Sequence, residues 1–134
     1  MKPPLLLDAS ALIALFRQEP GYQEVRRALS GRSCAVSSVT LAEMEGKLVG
    51  RGDYTHGQVQ GAWGKLAPFV PERVFDAACR AKAAFYYARK SPYGLSLGDA
   101  ACFGTAEVHG LSVLTAEQNW GRLPDLPFGV ELIR

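Results

Sequence analysis

A chain of 134 residues with 48% hydrophobic and 21% charged content can bury a core of ordinary size, which excludes a disordered chain and makes one domain over 1–134 the expectation. A formal net charge of +2 excludes the strongly basic balance that would by itself diagnose a nucleic-acid binder. Cys34, Cys79 and Cys102 are too few and too scattered for a disulfide framework or a zinc motif, so buried thiols in a reducing cytoplasm are expected.

Residues 5–7, three leucines, read as a short strand covered on both faces, because a continuous apolar run suits a central parallel strand. Pro3, Pro4 and Asp8 interrupt any likeness to a secretion signal, and no run approaches the roughly 20 apolar residues of a membrane span. A helix is predicted over 10–17 on Leu12, Ile13, Leu15 and Phe16, stopped by Pro20-Gly21, and a second over 22–29. A strand at 34–37 and a helix at 39–48 follow, the latter carrying Leu41, Met44 and Leu48 with Ser37 or Ser38 as its cap. Glu43 lies on this helix.

Six glycines (46, 50, 52, 57, 61 and 64) fall where Val59, Trp63 and Leu66 otherwise suggest helix. Each interior glycine costs a helix about 1 kcal/mol against alanine, so the stretch is either mobile or a place where backbones approach closely. A long helix is predicted over 75–90, closed by Ser91-Pro92-Tyr93-Gly94, then a helix opened by Ser96-Leu97-Gly98-Asp99 and running to about 109. Strands at 111–115 and 130–133 flank a short helical turn at 118–123. Alternating strands and helices predict an α/β fold, layered around a mainly parallel sheet.

From Ala77 to Gly98 there is no acid, while Arg80, Lys82, Arg89 and Lys90 are interleaved with Phe85, Tyr86, Tyr87 and Tyr93. Such a surface could meet phosphates, although a solvated helix face explains it as well.

In open α/β sheets, sites form at the carboxyl ends of strands. Asp8 closes the first strand, Asp99 stands in the first turn of a helix, Glu117 lies two residues past the strand ending at Thr115, and Glu43 would join them from its helix. Each also has a structural reading. Asp8 could cap the helix behind it, Ser96 and Asp99 have capping-box spacing, Glu117 could favour a helix N-terminus, and Glu43 could be solvated. Taken together the structural readings weaken, because Asp8 follows a buried strand and Asp99 sits among Leu95, Leu97, Ala100, Ala101 and Phe103. A protein partner would be Lys or Arg, and none is expected beside these motifs. A metal ion is the alternative: Mg²⁺ and Mn²⁺ prefer oxygen ligands, and converging carboxylates holding one suit phosphodiester hydrolysis.

The four stretches that carry these acids resemble the motifs of PIN domains in order: Leu5 to Leu12 the first, Ser38 to Glu43 the second, Leu95 to Ala101 the third, and Val113 to Glu117 the fourth. Length and the early Asp8 are similar to VapC-type toxins of toxin–antitoxin pairs. The resemblance implies a three-layer α/β/α sandwich and a Mg²⁺- or Mn²⁺-dependent endoribonuclease acting on RNA. It also implies a homodimer silenced by a cognate VapB-type antitoxin. Asp8, Glu43 and Asp99 are its implied core acids, with Asp8 and Asp99 as metal ligands and Ser10 and Thr115 as polar neighbours of metal or water. Arg89 and Lys90 are candidates for guiding the RNA backbone. One departure stands out: the fourth position is usually Asp and here is Glu117, with Asp125 a conceivable stand-in in a loop.

Four rivals remain. A metal-independent ribonuclease would need a histidine pair, and His56 and His109 stand in unrelated contexts. A receiver or an aspartyl phosphatase would need a further acid near Asp8, where Ser10 stands instead. A catalytically weak PIN-like module that binds RNA or protein is the alternative that keeps the fold.

Overall fold

A computed structural model describes residues 2–134. Five strands form one sheet in the order β3-β2-β1-β4-β5, where β1 is Leu5–Leu7, β2 Cys34–Ser37, β3 Glu72–Arg73, β4 Ser112–Thr115 and β5 Val130–Leu132. Every pairing is parallel, with Leu7 opposite both Val36 and Leu114. Parallel neighbours require crossover connections, and those place helices over both faces of the sheet.

Alternation along β1 shows how the layers form. Leu5 and Leu7 enter a core with residues of α1 (Ala9–Arg17), α2 (Tyr22–Gly31), α3 (Ser38–Gly50) and α4 (His56–Leu66). Leu6 points the other way, into a core with α5 (Ala77–Ala88) and α6 (Leu97–His109), among them Tyr86, Phe103 and Ala106. All three leucines are fully buried, each contributing roughly 1.5–3 kcal/mol of transfer free energy. The architecture is the expected α/β/α sandwich, with an entirely parallel sheet.

Helix starts follow side chains that can satisfy free backbone N–H groups. Asp8, Ser37, Asp76 and Ser96 cap α1, α3, α5 and α6, and Thr55 with Gln58 forms a reciprocal capping box on α4. Asp76 corrects the predicted helix at 75–90: its carboxylate accepts from the Cys79 amide, so the helix begins at Ala77, and Arg89 already leaves helical geometry. At the start of α6 the pairing is simpler than a capping box, since Ser96 accepts from the Asp99 amide.

One strand escaped the sequence reading. Glu72 and Arg73 are both exposed, so no apolar pattern marks β3. It is held through backbone, beginning with the Val36 amide donating to the Pro71 carbonyl at 3.0 Å.

The glycine-rich stretch is regular helix on either side of a short turn. Gly46 and Gly50 lie in α3, Gly61 and Gly64 in α4, and a Cβ at any of the four would meet nothing within 4 Å. Close backbone approach is therefore not why these glycines are there. Replacing Gly61 or Gly64 by alanine is expected to stabilise the fold by about 0.5–1 kcal/mol each, read as a rise in the denaturant midpoint. A fall instead would mean that α4 must bend or open.

The three cysteines are buried free thiols. Among the described residues no helix is long and apolar enough to cross a membrane.

Candidate active site

The carboxyl ends of β1 and β4 lie side by side, with the Asp8 amide donating to the Leu114 carbonyl at 3.1 Å. Asp8 is 4% exposed, and its carboxylate is held from three directions. The Ala11 amide donates to Oδ1 at 2.9 Å, the Thr115 hydroxyl to Oδ2 at 2.8 Å, and the Ser10 hydroxyl reaches both oxygens at 2.8 and 2.9 Å. Backbone amides fix the hydroxyls in turn. Ala116 N–H donates to Ser10 Oγ and Glu117 N–H to Thr115 Oγ1, each at 2.9 Å, which leaves each hydroxyl proton free to point at Asp8.

These bonds favour the ionised carboxylate, yet burial outweighs them and pushes the Asp8 pKa from the ordinary 3.8 up to about 6, with Asp99 adding repulsion. No described cation acts on it. Asp99 is raised as well, by burial first and then by Glu43 and Glu117, while Ser96 and Lys47 work the other way. Cys102, fully enclosed, is pushed far up by burial and by Asp8, Asp99 and Glu43 above it. The fold thus gathers all four acids into one electrostatic cluster, although they are far apart in the chain.

Their individual settings differ. Glu43, half-buried, is paired with Lys47 at 3.2 Å, one helical turn further along α3. This corrects the expectation that no cation stands beside the motif acids. The Glu43 carboxylate also lies against the first turn of α6, where a Cβ added to Gly98 would be 2.9 Å from Oε1. Glu117 is exposed and opens a short 3₁₀ helix, Gln118–Arg122, without a side-chain capping bond. Asp125 sits in an exposed loop, at a positive φ of 57°.

The carboxylates supply only oxygen donors around a buried acid that lacks a cation, which suits a hard divalent ion. They are not tightly assembled: among the described residues no three His, Cys, Asp or Glu side chains already form a metal-sized group. Side-chain rotation would have to close that set.

Arg89 and Lys90 are exposed at the end of α5 and fold back on aromatic rings of their own helix. The Arg89 guanidinium lies 3.5 Å from the Phe85 ring centroid and donates to the Phe85 carbonyl, and Lys90 Nζ lies 4.3 Å from the Tyr87 centroid. Neither is bonded to the acids. Lys82 pairs with Glu107 at 2.7 Å, so it is already compensated. His56 pairs with Glu45 on the surface and His109 ends α6, which leaves no histidine pair.

A cavity of about 560 Å³ lies between α1, α2 and α4 and is lined by no acid among its described residues. A smaller cleft of about 350 Å³ runs along Asp99 and Glu117 and continues past Tyr93, Asn119 and Trp120. Two of the four acids, Asp99 and Glu117, line this second cleft. Lys47, Gly98 and this cleft are what the sequence reading missed.

A family model described as a PIN domain matches residues 5–126. Comparison with curated proteins finds no match. Among solved structures, the chain is similar to VapBC2 from Rickettsia felis bound to a promoter DNA fragment, at a TM-score of 0.74 and 16% identity, covering 96% of this chain and 98% of that one. DNA-bound VapBC from Salmonella typhimurium gives 0.73 and 18%, covering 99% and 100%. VapC20 from Mycobacterium tuberculosis, described as a sarcin-ricin loop cleaving toxin, gives 0.71 and 18%, covering 92% and 99%. At these identities the likeness is one of fold.

Proposed function

Because this chain belongs to the PIN-domain family, we propose that it is a metal-dependent endoribonuclease that hydrolyses RNA phosphodiester bonds and acts as the toxin of a VapBC-type pair. The observation that carries the reading is Asp8, a buried carboxylate with hydrogen bonds but no cation, beside three further acids. The VapBC assemblies that share its fold support a VapB-type antitoxin as partner. A homodimer follows from the family resemblance.

Asp8 and Asp99 would hold Mg²⁺ or Mn²⁺, with Glu43 and Glu117 at its edge. When bound, such an ion polarises a phosphate oxygen and acidifies water. The chain's own residues orient the reaction. Ser10 and Thr115 keep Asp8 in one position, and Lys47 restrains Glu43, which would support the metal or accept a proton from the attacking water. Arg89 and Lys90 would leave their aromatic rings to meet the RNA backbone, a contact that positions without reading sequence.

One observation favours the catalytically weak module instead: no ready-made metal group exists among the described residues. Cleavage of a mixed RNA pool by wild type and Asp8→Asn, in Mg²⁺, in Mn²⁺ and in excess EDTA, separates the two. The nuclease reading expects metal-dependent cleavage by wild type alone. Equal behaviour of the two folded proteins would overturn it, and cleavage that survives EDTA would overturn the metal.

Gly98 offers a milder test. A methyl group there would press on the far end of the Glu43 side chain, which can swing aside, so stability is expected to change little. Cleavage by Gly98→Ala is expected to fall by about tenfold or more, since a displacement near 1 Å can cost that much in an oriented site. An unchanged rate would show that Glu43 does not need this position.

A further inference from the structure

We propose that the cleft beside Asp99 and Glu117 is a nucleobase subsite, which receives one unstacked base of single-stranded RNA next to the bond that is cut. This rests on the nuclease reading above. Its volume of about 350 Å³ falls within the range of small-ligand sites, roughly 300–1,000 Å³. Asp99 and Glu117 line one side, so an occupant lies directly against the acidic cluster.

Charge decides which part of RNA enters. On the nuclease reading the ion held by Asp8 and Asp99 would take the phosphate at the cut, and the rest of the cleft, whose described lining includes two carboxylates and no cation, favours a neutral heterocycle over a second phosphate. The remaining lining suits a base. Tyr93, partly exposed, is held edge-on against Tyr86, their ring centroids 5.1 Å apart, while Trp120, packed against Phe103 at 4.8 Å, is buried and leaves Tyr93 as the ring a base could meet. Single-stranded bases are commonly received by aromatic rings of this kind, with polar side chains reading the base edge.

Asn119 is the polar reader. Its Oδ1 accepts from the Arg122 guanidinium at 3.1 Å. Guanidinium only donates, so the amide oxygen must face Arg122 and the NH₂ group remains for the ligand. A free adenine-reading amide would use both its oxygen and its nitrogen. Here one of the oxygen's two lone pairs is taken while both N–H donors stay free, which favours a base edge rich in acceptors, as the O6/N7 edge of guanine and the carbonyls of uracil are.

The test is cleavage of short single-stranded RNAs randomised around the cut, with sequencing of the ends, by wild type, Asn119→Ala and Tyr93→Leu in the metal that supports activity. Wild type is expected to prefer guanine or uracil at one position beside the cut. Asn119→Ala should flatten that preference by about tenfold, in line with the discrimination of a polar base contact. Tyr93→Leu should raise KM about tenfold for all bases, as expected for a lost stacking platform. Asn119 is exposed, so its variant tests the subsite even if Tyr93→Leu does not fold. Active wild type with unchanged preference in Asn119→Ala would overturn the subsite and leave the nuclease standing, with the cleft then open to a protein partner. No cleavage by wild type in any metal would overturn both.

Discussion

Asp8→Asn is expected to make the metal-free protein more stable at pH 7.5 while lowering metal-dependent RNA cleavage by about 100-fold or more, the scale on which lost electrostatic groups act in active sites. The stability half follows from linkage. Folded Asp8 keeps its proton up to about pH 6, whereas an unfolded Asp releases it near 3.8. The folded state therefore binds more protons across that window, and stability falls as pH rises through it. A displacement of that size corresponds to roughly 3 kcal/mol between protonation states at neutral pH.

Asparagine removes the buried charge, but its NH₂ group must face hydroxyls that now donate to a carboxylate, so a net gain of about 1–2 kcal/mol is expected. Thermal melts of both proteins between pH 4 and 8 would read it. The gap should close near pH 4, and a divalent ion should raise the melting temperature of wild type more than that of the variant. A variant that is less stable at every pH would mean that the carboxylate is compensated inside the fold.

Gly104→Ala is expected to be the most damaging small substitution. A Cβ there would sit 2.6 Å from the Ala83 amide nitrogen and 2.7 Å from the Cys79 carbonyl oxygen, both backbone atoms of α5. Unlike the Glu43 tip beside Gly98, this backbone cannot swing aside. Alanine would gain about 1 kcal/mol in helix propensity, but prying two packed helices apart costs more, typically 1–3 kcal/mol and at times beyond. A net loss of about 2 kcal/mol is expected, read from urea or thermal unfolding. Because α6 carries Asp99 five residues earlier, activity should fall as well, even below the unfolding transition. A neutral result would require α5 to move freely against α6.

The strand that ends in Asp8 was legible because three consecutive leucines have no other economical place than a central parallel strand. Both neighbouring strands and the order of helices followed from similar local patterns. The four acids were legible as positions at strand ends and helix starts, yet their settings were not. Lys47 is one turn from Glu43 in the sequence, but its influence on Asp99 depends on how α3 approaches α6. Gly98 reads as a weak helix residue until the Glu43 carboxylate is seen against it. Arg89 and Lys90 looked like free phosphate contacts, because sequence does not reveal that aromatic neighbours on the same helix already shelter them. Two-residue β3 left no trace, since backbone pairing carries no side-chain signature.

The amides of Ala116 and Glu117 give the hydroxyl relay a property that side-chain mutagenesis does not reach. Residue 117 supplies a main-chain N–H to Thr115 whatever its side chain is, and Thr115 passes that constraint to Asp8. Exchanging aspartate for glutamate at this position alters one carboxylate's reach and leaves the scaffold under Asp8 intact. An alanine scan would therefore read only the side-chain part of what position 117 contributes. The rest belongs to the peptide backbone, which holds Thr115, and through it Asp8, whatever side chain stands at 117.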